Sequence, residues 1–156
     1  MVVLNNSSFS ALTYAKCIIL LSKMFREVYI PKAVEEEFKK AYKSIPSFIE
    51  VQELNDEQKE EALKMRERLH AGEREAIILA EELGDLLIID DKTARKECKK
   101  RNLAITGSFG VIREAYILCL LTRSELESTI ELLKRDLFYE EWLCNYVLAA
   151  KKDHNG

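Results

Sequence analysis

The sequence has few of the residues that interrupt regular structure, with five glycines and two prolines among 156 residues. Disordered proteins are rich in such residues, whereas 47% of this chain is hydrophobic. A disordered chain is therefore excluded. The length and composition predict one domain, residues 1–156, built around one hydrophobic core.

Long apolar runs are absent as well. The longest candidate, Cys17–Leu21, ends at Ser22 and Lys23, far short of the roughly 20 apolar residues that span a membrane. The stretch Met1–Asn5 lacks the basic flank and cleavage site of a secretory signal. We expect a cytoplasmic protein with no membrane span.

Cysteine and histidine are too few and too scattered for a zinc site. The four cysteines contain no Cys-x-x-Cys pair, and only His70 and His154 accompany them. We interpret the cysteines as buried thiols, and we assign His70 no role. The net charge of −3 gives no overall attraction to nucleic acid, so any such binding needs a local basic patch.

Short apolar runs alternate with helical patterns along the chain. The predicted strands are Val2–Leu4, Val28–Ile30, Phe48–Val51, Leu86–Ile89 and Leu103–Ile105. The predicted helices are Lys32–Tyr42, Asp56–Leu69, Glu73–Leu83, Lys92–Arg101, Phe109–Leu120, Ser124–Lys134 and Glu140–Ala150. Helix ends are marked by Pro31, Asn55, Gly84 and Asn102.

Nearly continuous apolar strands that alternate with helices are typical of a parallel sheet covered on both faces. We predict an α/β fold with three α/β/α layers and roughly five parallel strands over residues 1–122, followed by extra helices over residues 123–156. In the last helix, apolar residues recur at helical spacing, which suits core packing and subunit contact equally. They include Trp142, Leu143, Tyr146 and Val147.

Oxygen-bearing side chains follow three of the predicted strands, where ligands bind in parallel sheets. The segments are Asn5-Asn6-Ser7, Asp90-Asp91 and Thr106-Gly107-Ser108, and the helices add Glu35–Glu37, Glu73 and Glu75. Clustered carboxylates stay ionised only beside a cation, and Mg²⁺ or Mn²⁺ prefers oxygen ligands. Such a site suits phosphodiester hydrolysis without a nucleophilic side chain.

A basic run, Lys92–Arg101, begins directly after Asp91 and carries six basic residues and one acidic residue. Beside a metal site it could hold the phosphates that flank a scissile bond. The candidate contacts are Lys92, Arg95, Lys96, Thr106 and Ser108. Taken alone, the run is more often a solvated helix face.

Each acidic feature also has a purely structural interpretation. Asp90-Asp91 can cap the following helix, and acids in a first helical turn, such as Glu73 and Glu75, are favoured by the helix dipole. Of Glu35–Glu37, only one residue can reach a shared site, because consecutive helical residues point in different directions.

Three stretches together resemble the VapC-related PIN domains, a branch of short, mostly prokaryotic and archaeal proteins with a Gly-Glu-x-Glu-Ala motif. They are Gly72–Ala80, beginning Gly72-Glu73-Arg74-Glu75-Ala76, then Leu87–Arg95, and Thr106–Ile112, and the similarity extends upstream to Val28–Val34 and Glu37-Phe38. The resemblance covers most of the chain.

The resemblance implies a five-stranded parallel sheet and a metal-dependent ribonuclease that acts on single-stranded RNA. It also implies a toxin that acts as a homodimer and is restrained by a cognate antitoxin protein. The acidic positions of the family fall on Glu37, Glu75 and Asp91, and their neighbours Glu73 and Asp90 could assist in binding Mg²⁺ or Mn²⁺.

The first strand departs from the family pattern, because Asn5 stands where an aspartate is common. Asparagine offers a metal only a neutral oxygen, which weakens cation binding. Two hypotheses follow: a nuclease with Glu37, Glu75, Asp91 and the weaker ligand Asn5, or a catalytically weakened fold that binds RNA or protein. A phosphoreceiver is disfavoured, because receivers carry their paired acids after the first strand.

Overall fold

Five parallel strands form the centre of the protein in a computed structural model that describes residues 1–65, 67–83, 85–137 and 139–152. They are β1 (Val2–Leu4), β2 (Val28–Pro31), β3 (Ile49–Gln52), β4 (Leu86–Ile88) and β5 (Ile105–Thr106). Their spatial order is β3-β2-β1-β4-β5, and every neighbouring pair is parallel. The predicted α/β fold is confirmed.

Nine helices lie within the described residues. They are α1 (Asn6–Tyr14), α2 (Leu20–Met24), α3 (Lys32–Lys39), α4 (Asp56–Leu63), α5 (Ala71–Leu83), α6 (Lys92–Lys100), α7 (Ser108–Ile117), α8 (Arg123–Leu137) and α9 (Glu141–Leu148). The seven predicted helices are present, although α3 and α4 are shorter than predicted. Helices α1 and α2 were not predicted, and the predicted helix end at Gly84 lies outside the described residues.

The core has one layer on each face of the sheet, because successive strand residues point to opposite sides. On one face Val2, Leu4 and Ile88 pack with residues of α1, α3 and α7. On the other, Val3 and Leu87 pack with residues of α5 and α6. Three cysteines are buried as expected, whereas Cys119 is exposed, and all four are free thiols.

None of the helices in the described ranges is long and apolar enough to cross a membrane.

Helices α1, α6 and α7 end in the same hydrogen-bonded motif without a glycine. At the end of α1, the N–H of Cys17 donates to the carbonyl of Leu12 and the N–H of Lys16 donates to that of Thr13. This is the Schellman pattern, which requires a left-handed residue. Lys16, Asn102 and Cys119 occupy that position with φ of 59°, 57° and 61°. The predicted end at Asn102 is thereby explained.

We expect Lys16→Gly to stabilise the protein, because glycine adopts the left-handed conformation without the steric cost of a side chain. The expected gain in the free energy of unfolding is about 0.5–1 kcal/mol. The neighbouring Ala15→Gly is the matched control and should lose a similar amount, because Ala15 has φ of −77°. Urea unfolding of both variants measures the difference, and equal losses would contradict the prediction.

Candidate metal centre

The carboxyl ends of β1 and β4 lie side by side at the point where the strand order reverses. Leu4 pairs with Ile88, and the N–H of Asn5 donates to the carbonyl of Ile88 over 3.1 Å. Asn5 therefore leaves the sheet beside Asp90 and Asp91. Ligands of open α/β sheets bind at such switch points.

A crevice of about 430 Å³ opens at this edge, and we call it the acidic crevice. Of the predicted site residues, Asn5, Glu37 and Glu73 line it. The other lining residues are Asn6, Ser7, Lys40, His70 and Ala71. Burial raises the pKa of Glu73, and the charges of Asp91 and Glu37 raise it further. Asp91 does not line the crevice itself, although its charge acts on Glu73.

Glu37, Glu73 and Asp91 each accept a backbone hydrogen bond at a helix N-terminus. Glu37 Oε1 accepts from the N–H of Gly72 (2.9 Å), and Glu73 Oε2 accepts from that of His70 (3.0 Å). Asp91 Oδ2 accepts from the N–H of Ala94 (2.8 Å). The second oxygen of each accepts no hydrogen bond from the described part of the chain. One oxygen of each carboxylate is therefore left for a ligand.

Gly72 is required for the approach of Glu37. A Cβ atom at position 72 would lie 2.7 Å from Glu37 Oε1 and 2.8 Å from Oε2, far inside van der Waals contact. Steric contact therefore explains why glycine begins the segment Gly72-Glu73-Arg74-Glu75-Ala76. Any larger residue at position 72 displaces the Glu37 carboxylate from the N-terminus of α5.

Glu75 lies outside the acidic crevice. Its Oε2 accepts from the N–H of Ala33 at the N-terminus of α3 (2.9 Å), in a separate cavity that includes Lys59 and Arg74. Burial raises the pKa of Glu75, and the bond from Ala33 opposes this rise. Residues two apart on a helix point about 200° away from each other, so only one of Glu73 and Glu75 can face the crevice. The structure places Glu73 there.

Asp90 does not line the crevice and lies instead in a groove beside α9. Its carboxylate accepts from the backbone N–H (2.8 Å) and hydroxyl (2.5 Å) of Ser108 and from the hydroxyl of Tyr139 (3.0 Å). Burial, together with Asp90, raises the pKa of Tyr139. Asp90 thus caps α7, and Ser108 is completely buried beneath it. Tyr139 has no sequence signal, since 49 positions separate it from Asp90.

The basic run divides between two cavities on either side of α6. Lys92, Arg95 and Thr106 line a groove beside α9, whereas Lys96 lines a basic cavity of about 390 Å³ with Arg68 and Lys100. Lys92 is paired with Glu140 at 3.0 Å, and Arg95 donates to the carbonyl of Ile89 at 2.7 Å. The three basic residues among the predicted RNA contacts therefore do not line one cavity.

The donor chemistry of the acidic crevice fits a hard divalent cation, since carboxylate and amide oxygens are the preferred ligands of Mg²⁺ and Mn²⁺. Asn6 also lines the crevice, and its buried Oδ1 has no hydrogen-bond partner in the part of the chain that the structure describes. Within the described ranges, Glu37, Glu73 and Asp91 form no salt bridge. As placed, the described residues nevertheless contain no group of three or more His, Cys, Asp or Glu side chains that could hold a metal ion.

The fold and the crevice together define an α/β/α protein with carboxylates at the switch point of a parallel sheet. A family model described as DUF3368, PIN domain, matches residues 1–152. The chain therefore belongs to the PIN-domain family, whose members are generally nucleases. A search of curated proteins found no match.

We expect Gly72→Ala to destabilise the protein by about 0.5–1.5 kcal/mol, because the new methyl group pushes the end of the Glu37 side chain off its hydrogen bond to the N–H of residue 72. At an ordinary helical position the same change stabilises by roughly 0.5–1 kcal/mol. The three nearest atoms all belong to Glu37, so in a Glu37→Ala background the substitution should become neutral or stabilising. A double-mutant cycle in urea measures this reversal, and equal losses in both backgrounds would refute it.

Proposed function

We propose that the chain is a Mg²⁺- or Mn²⁺-dependent endoribonuclease that hydrolyses single-stranded RNA. Glu37, Glu73 and Asp91 would hold the ion, with Asn5 as a neutral oxygen donor. The observation that carries the proposal is the shared arrangement of the three carboxylates. Each uses one oxygen to cap a helix and directs its charge to the same edge of a PIN-domain sheet, without a salt bridge in the described residues.

Glu37, Glu73 and Asp91 would hold the divalent ion in place. The bound ion would supply an activated water and neutralise charge on the leaving oxygen. The backbone N–H groups at the N-termini of α5 and α6 hold these capping carboxylates in position by hydrogen bonds. Lys40 lines the same crevice and provides a cation for a phosphate of the substrate. Among the predicted RNA contacts, Lys92, Arg95 and Thr106 are exposed to a neighbouring groove, whereas Ser108 positions Asp90.

Within the PIN-domain family, the segment Gly72-Glu73-Arg74-Glu75-Ala76 supports placement in the VapC-related branch. We extend the proposal accordingly to a toxin that acts as a homodimer and is restrained by an antitoxin protein. The crevice is open to solvent at the carboxyl edge of the sheet, where an antitoxin segment could block access to it.

Asn5 favours a second function, that of a binding protein with weak or no catalysis. Its side chain is 2% exposed, and its Oδ1 accepts from the N–H of Asn6 at 2.7 Å while its amide donates to Ser7. Asn5 therefore caps α1, and its neutral side chain adds no negative charge to the crevice. Aspartate caps helices equally well, so Asn5→Asp should preserve the fold.

Cleavage of a mixed-sequence single-stranded RNA with Mn²⁺ tests the proposed function. We expect slow cleavage by the native chain and cleavage roughly tenfold or more faster by Asn5→Asp, because a fourth carboxylate strengthens cation binding. Asp91→Asn retains the cap of α6 and should abolish cleavage, as should EDTA. Cleavage only after Asn5→Asp would identify a weakened enzyme. RNA binding without cleavage by either protein would favour the binding module.

Manganese binding distinguishes Glu73 from Glu75, which are matched in residue type and helix. We expect Glu73→Gln to weaken Mn²⁺ binding by roughly tenfold or more, since it removes a ligand charge from the crevice. Glu75→Gln should leave the affinity unchanged, because Glu75 faces Ala33. Isothermal titration calorimetry measures both. The opposite ranking would make Glu75 the ligand, as the sequence predicts.

A further inference from the structure

A groove of about 560 Å³ lies between α9 and the carboxyl ends of β4 and β5, and we call it the aromatic groove. Its lining includes Trp142, Tyr146 and Phe109, together with the polar residues Lys92, Arg95 and Thr106. The volume falls within the roughly 300–1,000 Å³ of small-molecule sites, the size class of a nucleotide. The proposed metal ligands do not line this groove, so it needs its own explanation.

The two largest rings of α9 are exposed rather than packed into the core. Trp142 is 65% exposed and Tyr146 is 55% exposed, one helical turn apart, while Cys144 and Val147 on the same helix are buried. The sequence alone did not distinguish core packing from subunit contact for the apolar residues of this helix, including Trp142, Tyr146 and Val147. The structure assigns Val147 to the core and leaves both rings facing outward, where large apolar groups commonly mark an interaction site.

Polar contacts hold both rings in place. The indole N–H of Trp142 donates to Glu140, which also accepts from Lys92. The guanidinium of Arg113 lies 4.9 Å from the centre of the Tyr146 ring, a cation–π distance. The rings are therefore preorganised, which reduces the entropy lost on binding a ligand.

The charges around the rings favour an anionic occupant. Within the described residues, neither Arg95 nor Arg113 has an acidic partner, and the buried Nε of Arg113 has no acceptor. The two acids that line the groove are already engaged, Asp90 by Ser108 and Tyr139 and Glu140 by Lys92 and Trp142. Rings beside unpaired guanidinium groups match a ligand that carries both flat bases and phosphates. Arg95 donates to the carbonyl of Ile89 and Arg113 lies over the Tyr146 ring, but neither contact carries a negative charge, and an apolar protein surface would supply none.

We propose that the aromatic groove binds bases of single-stranded RNA by stacking on Trp142 and Tyr146, while Arg95 in the groove and Arg113 beside the Tyr146 ring attract the adjoining phosphates. Asp90 lines this groove, and the charge of the next residue, Asp91, acts on Glu73 of the acidic crevice. Both sites therefore lie at the end of β4. One strand can therefore occupy both. That the bound polymer is RNA rests on the proposed function; the groove accounts for how the RNA is bound.

The test uses the single tryptophan of the chain as its reporter. A mixed-sequence single-stranded RNA of twelve nucleotides is titrated into the native protein in EDTA, so that binding is measured without cleavage. We expect saturable quenching of Trp142 emission, because a base stacked on the indole quenches it. An oligonucleotide of the same length without bases, which keeps the phosphates, should not quench.

Substitutions then separate stacking from apolar contact. Anisotropy of labelled RNA should show affinity about tenfold lower for Trp142→Leu and for Tyr146→Leu, since stacking on a ring contributes strongly to single-strand binding. Leucine keeps an apolar side chain, which a protein interface would accept. Trp142→Phe keeps a ring and should retain most of the affinity. Ile19→Ala, an exposed apolar residue outside the groove at 52% exposure, is the matched control.

Equal RNA affinity of the native and both leucine variants would overturn the inference, as would equal quenching by the oligonucleotide without bases. A change in oligomeric state of the leucine variants at unchanged RNA affinity would identify an interface between copies instead. Circular dichroism checks that each variant is folded, and Trp142→Phe remains informative if a leucine variant is not. Base stacking without cleavage in Mn²⁺ would refute the proposed nuclease activity alone. Cleavage without base stacking would refute only the proposed RNA binding in the aromatic groove.

Discussion

The arrangement of the site depends on an exchange of carboxylates between α3 and α5. Glu37 of α3 caps the N-terminus of α5 at Gly72, and Glu75 of α5 caps the N-terminus of α3 at Ala33. Both helices begin at the same edge of the sheet, so their positive dipole ends lie close together. The two carboxylates offset that repulsion and fix the rotation of each helix, which in turn directs Glu73 toward Asn5.

Folding and the proposed metal binding therefore depend on the same carboxylates. Each capping carboxylate contributes to folding through one oxygen and remains available to a ligand through the other. The desolvation that raises the pKa of Glu73 is a cost of bringing the acids together, and a cation would relieve it. The sharing also explains why Gly72 is sterically required, since the carboxylate and the helix terminus meet at that residue.

The sequence predicted the elements better than the directions of the side chains. Apolar strands and helix caps such as Asn102 are local features, and the five strands follow from them. Asn5-Asn6-Ser7-Ser8 looks like a turn, so α1 was missed, although Asn5 in fact caps it. The choice between Glu73 and Glu75 depends on the rotation of α5, and the separation of Asp90 from Asp91 depends on Tyr139. Both are set by residues distant in sequence, which local patterns do not contain.

The position of β1 in the sheet has a consequence for synthesis of the protein. The first strand lies between β2 and β4, and Leu4 finds its partner Ile88 only after more than half of the chain has been made. Closing so long a loop is slow relative to forming a helix. Asn5 and Asp91 can meet only when β4 has joined the sheet, so a nascent chain lacks the crevice until the segment up to Asp91 has left the ribosome.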